Sequence, residues 1–584
     1  MSVPVPSHLS EEKLNRLLGA WESLSQEQRE AFSCLVARGA GGVWGQSQII
    51  FGSAGSGKSY YINLVREVLS DSESLVVVTA MTGKAAANLS TPDHPTRTLH
   101  SLIPMGQSVL EATKKLLRPN SFEKLEILRK MKILVVDEVS MLSEESLLHV
   151  NGVLQAVKQD EYAPFGGAVV VLVGDYKQLP PVPRRDDETG ASGRVFIAAK
   201  SFVHKAFFTN IFEFTVNYRQ KGDRQYAAIL ERIGRGVHDA DDIRPLMARR
   251  NANPPSDAVR LYYTNRDVNS HNGAKMDALK TEMYTMPRIV LKEILLNDRG
   301  VPVAKDADAI LDAVAATMIK EEDIPARLDL KRGVPVRMLW NLDPAEGFCN
   351  GTLLTFIRYD AMARKVWVVR DPAHQDNERE HIPLPLRRLS TQVDKVGTVS
   401  ILWAGFMLSY AQTVHVSQGT EIEGDCAIAA AGMQTPGMIY TAFSRVRSLD
   451  KLHLLSFNRT SVVPSSIVAE GEALIADAKK QRNARRERAA QVARAQDVVD
   501  QHDAQLVKEM EEAAEDLIRA GEFDDDSGEE GGAGCSAPSP PPRTRPPSLS
   551  ASPLLWDEET GERECGKAPG KRACQHDSGD EGAL

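Results

Sequence analysis

The chain has 584 residues and a net charge of −9, with 42% hydrophobic and 26% charged residues, too long for one core, so two to four domains of ordinary soluble composition are expected. No apolar run is long enough to cross a bilayer, the start Met1-Ser2-Val3-Pro4-Val5-Pro6 lacks the regions of a secretion signal, and the six cysteines have no framework spacing; a membrane span, a secreted chain and a disulfide scaffold are therefore excluded. Asp524 to Leu584 holds 13 acidic residues against 6 Lys/Arg, a net of −7 that leaves −2 for residues 1–523, so a near-neutral body with room for a basic groove precedes an acidic tail.

The first informative element is the apolar strand Gln48-Ile49-Ile50. It runs into Phe51-Gly52-Ser53-Ala54-Gly55-Ser56-Gly57-Lys58-Ser59 and then into a helical start at Tyr60-Tyr61-Ile62. The stretch fits G-x-x-x-x-G-K-[ST] in the strand–loop–helix context that this phosphate-binding motif needs. Backbone N–H groups of Gly52, Ser53, Ala54, Gly55, Ser56 and Gly57 are expected to cradle phosphate oxygens at a helix N-terminus. Lys58 is expected to reach the β/γ-phosphates, and Ser59 to place its hydroxyl on Mg²⁺. A nucleoside triphosphate, ATP, is the expected ligand.

Further buried strands are expected at Leu75-Val76-Val77-Val78, Ile133-Leu134-Val135-Val136 and Val169-Val170-Val171-Leu172-Val173. Continuous apolar runs between helices predict a parallel sheet covered on both faces. The third strand ends in Asp137 and Glu138: Asp137 is expected to hold Mg²⁺ through its water shell, and Glu138 to polarise the attacking water. The fourth leads into Gly174-Asp175-Tyr176-Lys177-Gln178-Leu179-Pro180-Pro181, which brings Gln178 near the γ-phosphate.

A second series of strands begins near Ile211-Phe212-Glu213-Phe214 and Leu261-Tyr262-Tyr263, and resumes at Cys426-Ala427-Ile428-Ala429 and Leu452-His453-Leu454-Leu455. Between these halves, short strands divided by Gly, Pro and Asp over about 331–392 predict a small antiparallel barrel inserted into a second lobe. Ser465 to Ala520 reads as a long helix or helical hairpin, basic first and acidic later, its charges expected to pair at i,i+4. The acidic, Pro-rich composition beyond Asp524 cannot build a core, and is a possible contact for a protein partner.

The order of motifs resembles that of superfamily 1B helicases, the petite-integration-frequency (Pif) family, with RecD-like features. The resemblance rests on Leu24-Ser25-Gln26-Glu27-Gln28, Thr79 to Ala86, Thr98-Leu99-His100-Ser101, Pro164-Phe165-Gly166-Gly167, Asn217-Tyr218-Arg219-Gln220, Cys349-Asn350-Gly351-Thr352, Thr413 to Gly419 and Tyr440-Thr441-Ala442-Phe443-Ser444-Arg445. It implies that Gln28 reads adenine and that Arg219 and Arg445 are arginine fingers reaching the γ-phosphate from the second lobe. It further implies single-stranded DNA across both lobes, with Thr82, Lys84 and His100 as candidate contacts in the first lobe. Thr264, Asn265, His415, Ser417 and Gln418 are those in the second. Three departures bear on strand grip: Val416 replaces the usual Lys, Thr420-Glu421 follows Gln-Gly in a RecD-like order, and Glu145 to Gln159 lacks signature arginines and holds Gly152 in a helical region.

The reading is thus an α/β protein with two RecA-like lobes and an SH3-like barrel. Residues 1–209 form the first lobe, 210–330 and 401–460 the second, 331–400 the barrel, 461–523 a charged helical extension and 524–584 a disordered tail. The resemblance implies an ATP- and Mg²⁺-dependent helicase that moves 5′ to 3′ on single-stranded DNA and opens duplexes. A monomer is expected and, with no organelle presequence in the sequence, an intracellular place, the nucleus ahead of the cytoplasm, a viral origin included. A helicase of RNA or RNA–DNA hybrids and an ATP-gated clamp that does not unwind remain alternatives.

Overall fold

The apolar runs in the first half of the chain become the interior of one sheet in the computed structural model, which describes residues 10–520 apart from 37–45, 72–74, 92, 182–193, 196, 198–202, 209, 252, 344–345 and 371–376. The expected tail, 524–584, lies outside the described residues. The chain divides into two units, residues 1–495 and 496–584.

The first sheet contains β1 (Gln48–Gly52), β2 (Leu75–Ala80), β3 (Arg97–Thr98), β4 (Met131–Asp137), β5 (Val169–Gly174) and β6 (Asn210–Phe214) in the order β3-β2-β4-β5-β1-β6. Every pairing is parallel. All residues of β1, β5 and β6 are buried, because helices cover both faces, and this is why β5 reads as an unbroken apolar run and β1 as one after Gln48. One face buries Phe51, Leu134, Leu172 and Phe165; the other buries Ile50, Val135, Val171 and Phe212. Full burial of each such side chain contributes roughly 1.5–3 kcal/mol.

Four helices of this lobe matter for the site: α1 (Gln26–Val36), α2 (Lys58–Leu69), α3 (Gly83–Leu89) and α4 (Glu144–Lys158). Thr82 caps α3, its Oγ1 accepting from the Ala85 N–H at 3.1 Å, an arrangement typically worth about 1 kcal/mol. Gly152 sits inside α4 for a packing reason. A Cβ there would stand 2.9 Å from Val109 Cγ2, so the glycine lets the neighbouring segment close in.

Asn210–Phe214, expected to open the second lobe, instead forms the edge of the first sheet beside β1. Its apolar sequence suits either sheet, and only the parallel register Gln48 to Asn210 through Gly52 to Phe214 decides between them. The second sheet comprises β7 (Val259–Tyr262), β8 (Ala411–Thr413), β9 (Cys426–Ala429) and β10 (Leu452–Ser456) in the parallel order β8-β7-β9-β10. Around it lie α5 (Arg224–Arg235), α6 (Asn265–Asp277) and α7 (Met438–Phe443). Tyr226, Ile229 and Leu230 of α5 pack with Leu261, Ile428, Phe443 and Leu454.

The excursion between β7 and β8 is longer than the barrel expected over 331–400. Five antiparallel strands run in the order Ile382–Pro385, Lys365–Val369, Leu353–Asp360, Pro335–Met338, Phe406–Leu408. A three-stranded sheet joins Ile289–Ile294, Gly397–Trp403 and Arg387–Val393, and Met283–Pro287 pairs with Arg327–Lys331. The added strands at 283–294 bury only Met286, and Lys292 and Glu293 cut short the apolar run Ile289-Val290-Leu291, so their signal is weaker than that of the others.

A single helix, α8 (Val468–Ala520), follows β10 in place of a hairpin. Ile475 and Ala478 join the first-lobe core. The basic half makes tertiary contacts instead of the expected pairs along the helix: Lys479 to Glu213 at 3.1 Å, Arg486 to Glu30 at 2.7 Å, and the Arg482 guanidinium 4.6 Å from the Phe212 ring centroid. In the second unit Lys508 and Glu512 do pair at i,i+4, 3.8 Å apart, beside hydrogen bonds of the uncharged Gln496 to Asp500 at 2.8 Å and Gln505 to Glu509 at 3.0 Å. Among the described residues no helix is long and apolar enough to cross a membrane.

Candidate active site

The turn between β1 and α2 needs glycine at two points. Gly55 and Gly57 have φ of +84° and +81°, the left-handed region where a side chain is strained. Lys58 Nζ donates to the carbonyls of Gly52 at 2.7 Å and Ser53 at 3.0 Å. Loss of water around this ammonium pushes its pKa down, against the opposing pull of Asp175, Glu138 and Asp137. Ser59 follows in the first turn of α2, exposed. Gln28, from α1, is buried against the same loop: its Oε1 accepts from the Ser25 N–H at 2.8 Å and its Nε2 donates to the Gly57 carbonyl at 3.4 Å.

β4 delivers Asp137 and Glu138 beside the loop. Glu138 adopts φ 57° and ψ 43°, a left-handed conformation in a residue that carries a side chain, at a cost of about 1–3 kcal/mol. Burial, and then the neighbouring Glu138, push the Asp137 carboxyl up to about 7, with Lys58 opposing. Gln178, beyond the end of β5, is also buried. Asp137 Oδ1, Glu138 Oε2, Gln178 Oε1 and Ser56 Oγ are all buried without a hydrogen-bond partner. Unpaired polar atoms of this kind are costly unless a ligand satisfies them. The adjacent carboxylates of Asp137 and Glu138 and the hydroxyl of Ser59, which lines the same cavity as they do, are hard oxygen donors that fit Mg²⁺ bound with phosphates.

Gly57, Lys58, Ser59, Asp137, Glu138 and Gln178 line one cavity of about 900 Å³ together with Arg219 and Arg445, whereas Gln28 and Ser56 do not line it. Arg445, just beyond α7, is buried and fixed: Nε donates to the Thr441 carbonyl at 3.0 Å, Nη2 to Ser444 Oγ at 3.0 Å and Nη1 to the Thr420 carbonyl at 3.3 Å. Arg219 differs from the expectation that it stands on the second lobe. It lies on the segment just after β6, where the Tyr218 N–H donates to the Gly55 carbonyl at 2.7 Å and Asn217 Nδ2 to the Ala54 carbonyl at 3.3 Å. Its backbone thus rides on the phosphate loop. Only its guanidinium crosses the cleft, to Glu421 at 3.0 Å, and burial lowers its pKa.

The candidate DNA contacts are spread over both lobes, with Thr82 of the first beside Gly419, the neighbour of Gln418, in the second. Thr82 and Lys84 begin α3, where Gly83 packs against Asn350 of the insert, and Lys84 also lines the nucleotide cavity. His100 faces a separate cavity of about 460 Å³ with Met105, Gln107, Glu145 and His149, and burial lowers its pKa. Thr264 caps α6, its Oγ1 accepting from the Asp267 N–H at 3.1 Å, and Asn265 is exposed beside it. His415 is half-buried, with a lowered pKa from the same cause. Ser417 lies beneath the surface, fully buried, its hydroxyl donating to the Val414 carbonyl at 2.7 Å. Gln418 is buried with both amide atoms unpaired.

Sequence reasoning gave no role to Lys177, Glu231, Glu421 or Arg447. Glu421 pairs with both Arg219 and Arg447, and Arg447 also reaches Glu423 at 2.9 Å. The unusual Thr420-Glu421 order was a usable signal for the first of these. Lys177 and Glu231 meet across the two lobes at 2.7 Å, with no signature in either local sequence.

The family model described as PIF1-like helicase matches residues 23–242, and that of the 2B domain of DNA helicase Pif1 matches 319–359. ATP-dependent DNA helicase Pif1 of Bdellovibrio bacteriovorus is 27% identical over 451 residues, covering 75% of this chain and 89% of the relative. ATP-dependent DNA helicase PIF1 of Homo sapiens is 26% identical over 456 residues, covering 75% of this chain but 62% of the human one, less than two thirds of its length. Among solved structures, Bacteroides Pif1 bound to ssDNA aligns with a TM-score of 0.59 at 23% identity, covering 79% of this chain and 97% of that one. Pif1 helicase from Candida albicans aligns at 0.58 and 23%, covering 77% and 99%. At this identity the two structures agree with the present chain in fold.

Proposed function

We propose that this chain, whose residues 23–242 match the PIF1-like helicase model, is an ATP-dependent DNA helicase of that family, coupling ATP hydrolysis to movement on single-stranded DNA and duplex opening. One observation carries the reading: Lys58, Asp137, Glu138, Gln178, Arg219 and Arg445 all belong to one nucleotide-sized cleft between two α/β lobes. In this reading Lys58 and the backbone of Gly52 to Gly57 bind the phosphates, Gln28 meets the base, and Ser59 and Asp137 hold Mg²⁺, which supplies charge neutralisation when bound. Glu138 takes a proton from the attacking water, Gln178 senses the γ-phosphate, and the two arginines stabilise its developing charge.

Loss of the γ-phosphate removes the charge that draws Arg219 and Arg445 together, which lets the lobes part; repeated closure and parting is the step along the strand. The polarity, 5′ to 3′, rests on family likeness. So does an SH3-like barrel for the antiparallel strands between Pro335 and Leu408. Action on DNA would place the protein in the nucleus, or in the cytoplasm for a viral chain, and the tail from 524 is offered as a partner contact.

The test is paired ATPase assays with single-stranded DNA and RNA, then strand displacement from 5′-tailed, 3′-tailed and blunt duplexes. DNA-stimulated hydrolysis and opening of the 5′-tailed duplex are expected. Stimulation by RNA alone, or hydrolysis without displacement, overturns the reading in favour of an RNA helicase or a clamp respectively.

A further inference from the structure

Ser53, the second residue of the phosphate loop, is gripped by two lysines. Lys58 Nζ donates to its carbonyl oxygen at 3.0 Å, and Lys177 Nζ donates to its hydroxyl oxygen at 2.7 Å. The same Lys177 ammonium donates to Glu231 Oε2 at 2.7 Å, and the Ser53 hydroxyl donates to that oxygen at 2.8 Å. Ammonium, hydroxyl and carboxylate therefore form a closed triangle. Glu231 belongs to α5, whose apolar face is part of the second-lobe core.

Lys177 is 2% exposed and its path is shaped for it. At Gly234 on α5, a Cβ would stand 3.0 Å from Lys177 Cδ and 2.9 Å from Tyr440 Cδ2, so only glycine leaves room for the lysine stem. The ammonium lies 5.7 Å from the Tyr176 ring centroid and 5.8 Å from that of Tyr440. Behind it, Glu231 Oε1 accepts from Arg235 Nε at 2.7 Å, Arg235 reaches Glu213 of β6 at 3.5 Å, and Lys479 of α8 reaches Glu213 at 3.1 Å. Burial pushes the Glu231 carboxyl up, but the Lys177 charge and the hydrogen bonds from Lys177, Ser53 and Arg235 outweigh it and hold the group at about 2.

We infer that Lys177 is a positioning residue that ties the phosphate loop to the second lobe through the Ser53–Glu231 contact, so that lobe movement adjusts the loop residue whose carbonyl Lys58 holds. The inference rests on the helicase reading and assigns that site a mechanical link distinct from its arginines. When α5 moves with the second lobe, Glu231 carries the Lys177 ammonium and the Ser53 hydroxyl with it. Lys58 then turns from the Ser53 carbonyl to phosphate from a position that the second lobe has set.

The experiment compares full-length wild type, Lys177→Met, Glu231→Gln and the double variant. ATP hydrolysis is measured with and without saturating single-stranded DNA, and binding is followed with a fluorescent ADP analogue. Misplacement of a reacting group by about 1 Å costs up to about 10²-fold, so Lys177→Met is expected to lower DNA-stimulated kcat by roughly 10–100-fold. Analogue affinity and the DNA-independent rate should shift by less than about threefold, the split that separates positioning from uniform binding. Glu231→Gln should act in the same direction, with the double variant no lower than the lower single.

Stimulated rates within about threefold of wild type, a loss that falls equally on analogue affinity, or single effects that multiply in the double variant, overturn the inference. If Lys177→Met shows no cooperative thermal transition, Glu231→Gln, which keeps the shape of the carboxylate and removes its charge, decides by the same split. A wild type without DNA-stimulated hydrolysis overturns the helicase reading instead; a stimulated wild type beside unchanged variants overturns only the role of Lys177.

Discussion

The Cβ of Arg219 lies 2.3 Å from the point where a Cβ on Gly55 would stand, so the arginine segment and the tip of the phosphate loop close-pack with no room for a side chain between them. Gly55→Ala adds both that collision and a left-handed alanine, itself worth about 1–2 kcal/mol. The variant should stay folded, with ATP turnover down roughly 10²-fold through displaced Arg219. Steady-state hydrolysis beside a thermal melt checks this.

Removing the guanidinium alone gives a sharper loss. Arg219→Ala should lower kcat by about 10³–10⁵ while ADP affinity stays close to wild type, because the backbone contacts of Tyr218 and Asn217 with the loop survive. Single-turnover hydrolysis with a separate ADP titration distinguishes this from a collapsed loop.

Glu138 and Lys58 should separate chemistry from binding. Glu138→Gln keeps the shape of the site and removes the base, so hydrolysis should fall by about 10²–10⁴ with ATP still bound. Lys58→Ala should lose binding as well. Filter retention of labelled ATP by the two variants is the comparison.

Glu231 carries a pH signature in stability. Its folded carboxyl is held at about 2, below the ordinary 4.5, so the stabilisation it supplies is fully present above pH 4.5 and is lost as pH falls through about 2. The melting-temperature gap between wild type and Glu231→Gln should therefore be widest at pH 5–7 and shrink toward pH 2.5. A gap constant across this range contradicts the assignment.

The C-terminal helix should hold the fold more through its apolar contacts than its charges. Ile475 is 4% exposed in the first-lobe core, and Ile475→Ala should cost about 2–5 kcal/mol. Arg486, half-exposed in its pair with Glu30, should contribute no more than about 1 kcal/mol. Urea unfolding of the two variants measures the difference.

The phosphate loop, the Asp137-Glu138 pair and the four central strands were legible because each is a local pattern: a run of residue types at fixed spacing fixes its own structure. Three other features are set by partners far along the chain. β6 looks the same in either lobe until its register with β1 is known. The insert was underestimated because Ile289–Ile294 finds its partner at Gly397–Trp403 and presents half-polar faces. Lys177 was quoted inside a motif, but its meaning depends on Glu231, and no spacing rule relates those positions. The candidate DNA residues were the least legible of all, since small polar residues such as Ser417 serve caps and turns as readily as a ligand.

The long excursion that separates β7 from β8 also imposes an order in time. The first sheet is complete once the chain has passed Phe214, whereas the second needs strands from Val259 to Ser456 before it can close. On a ribosome, where N-terminal domains fold first, the phosphate loop would be built long before the arginine at 445 exists. Newly made chains of intermediate length would then carry a paired first sheet whose core still awaits Ile475 and Ala478 of α8, and would depend on the late-arriving sheet to bury the apolar face of α5.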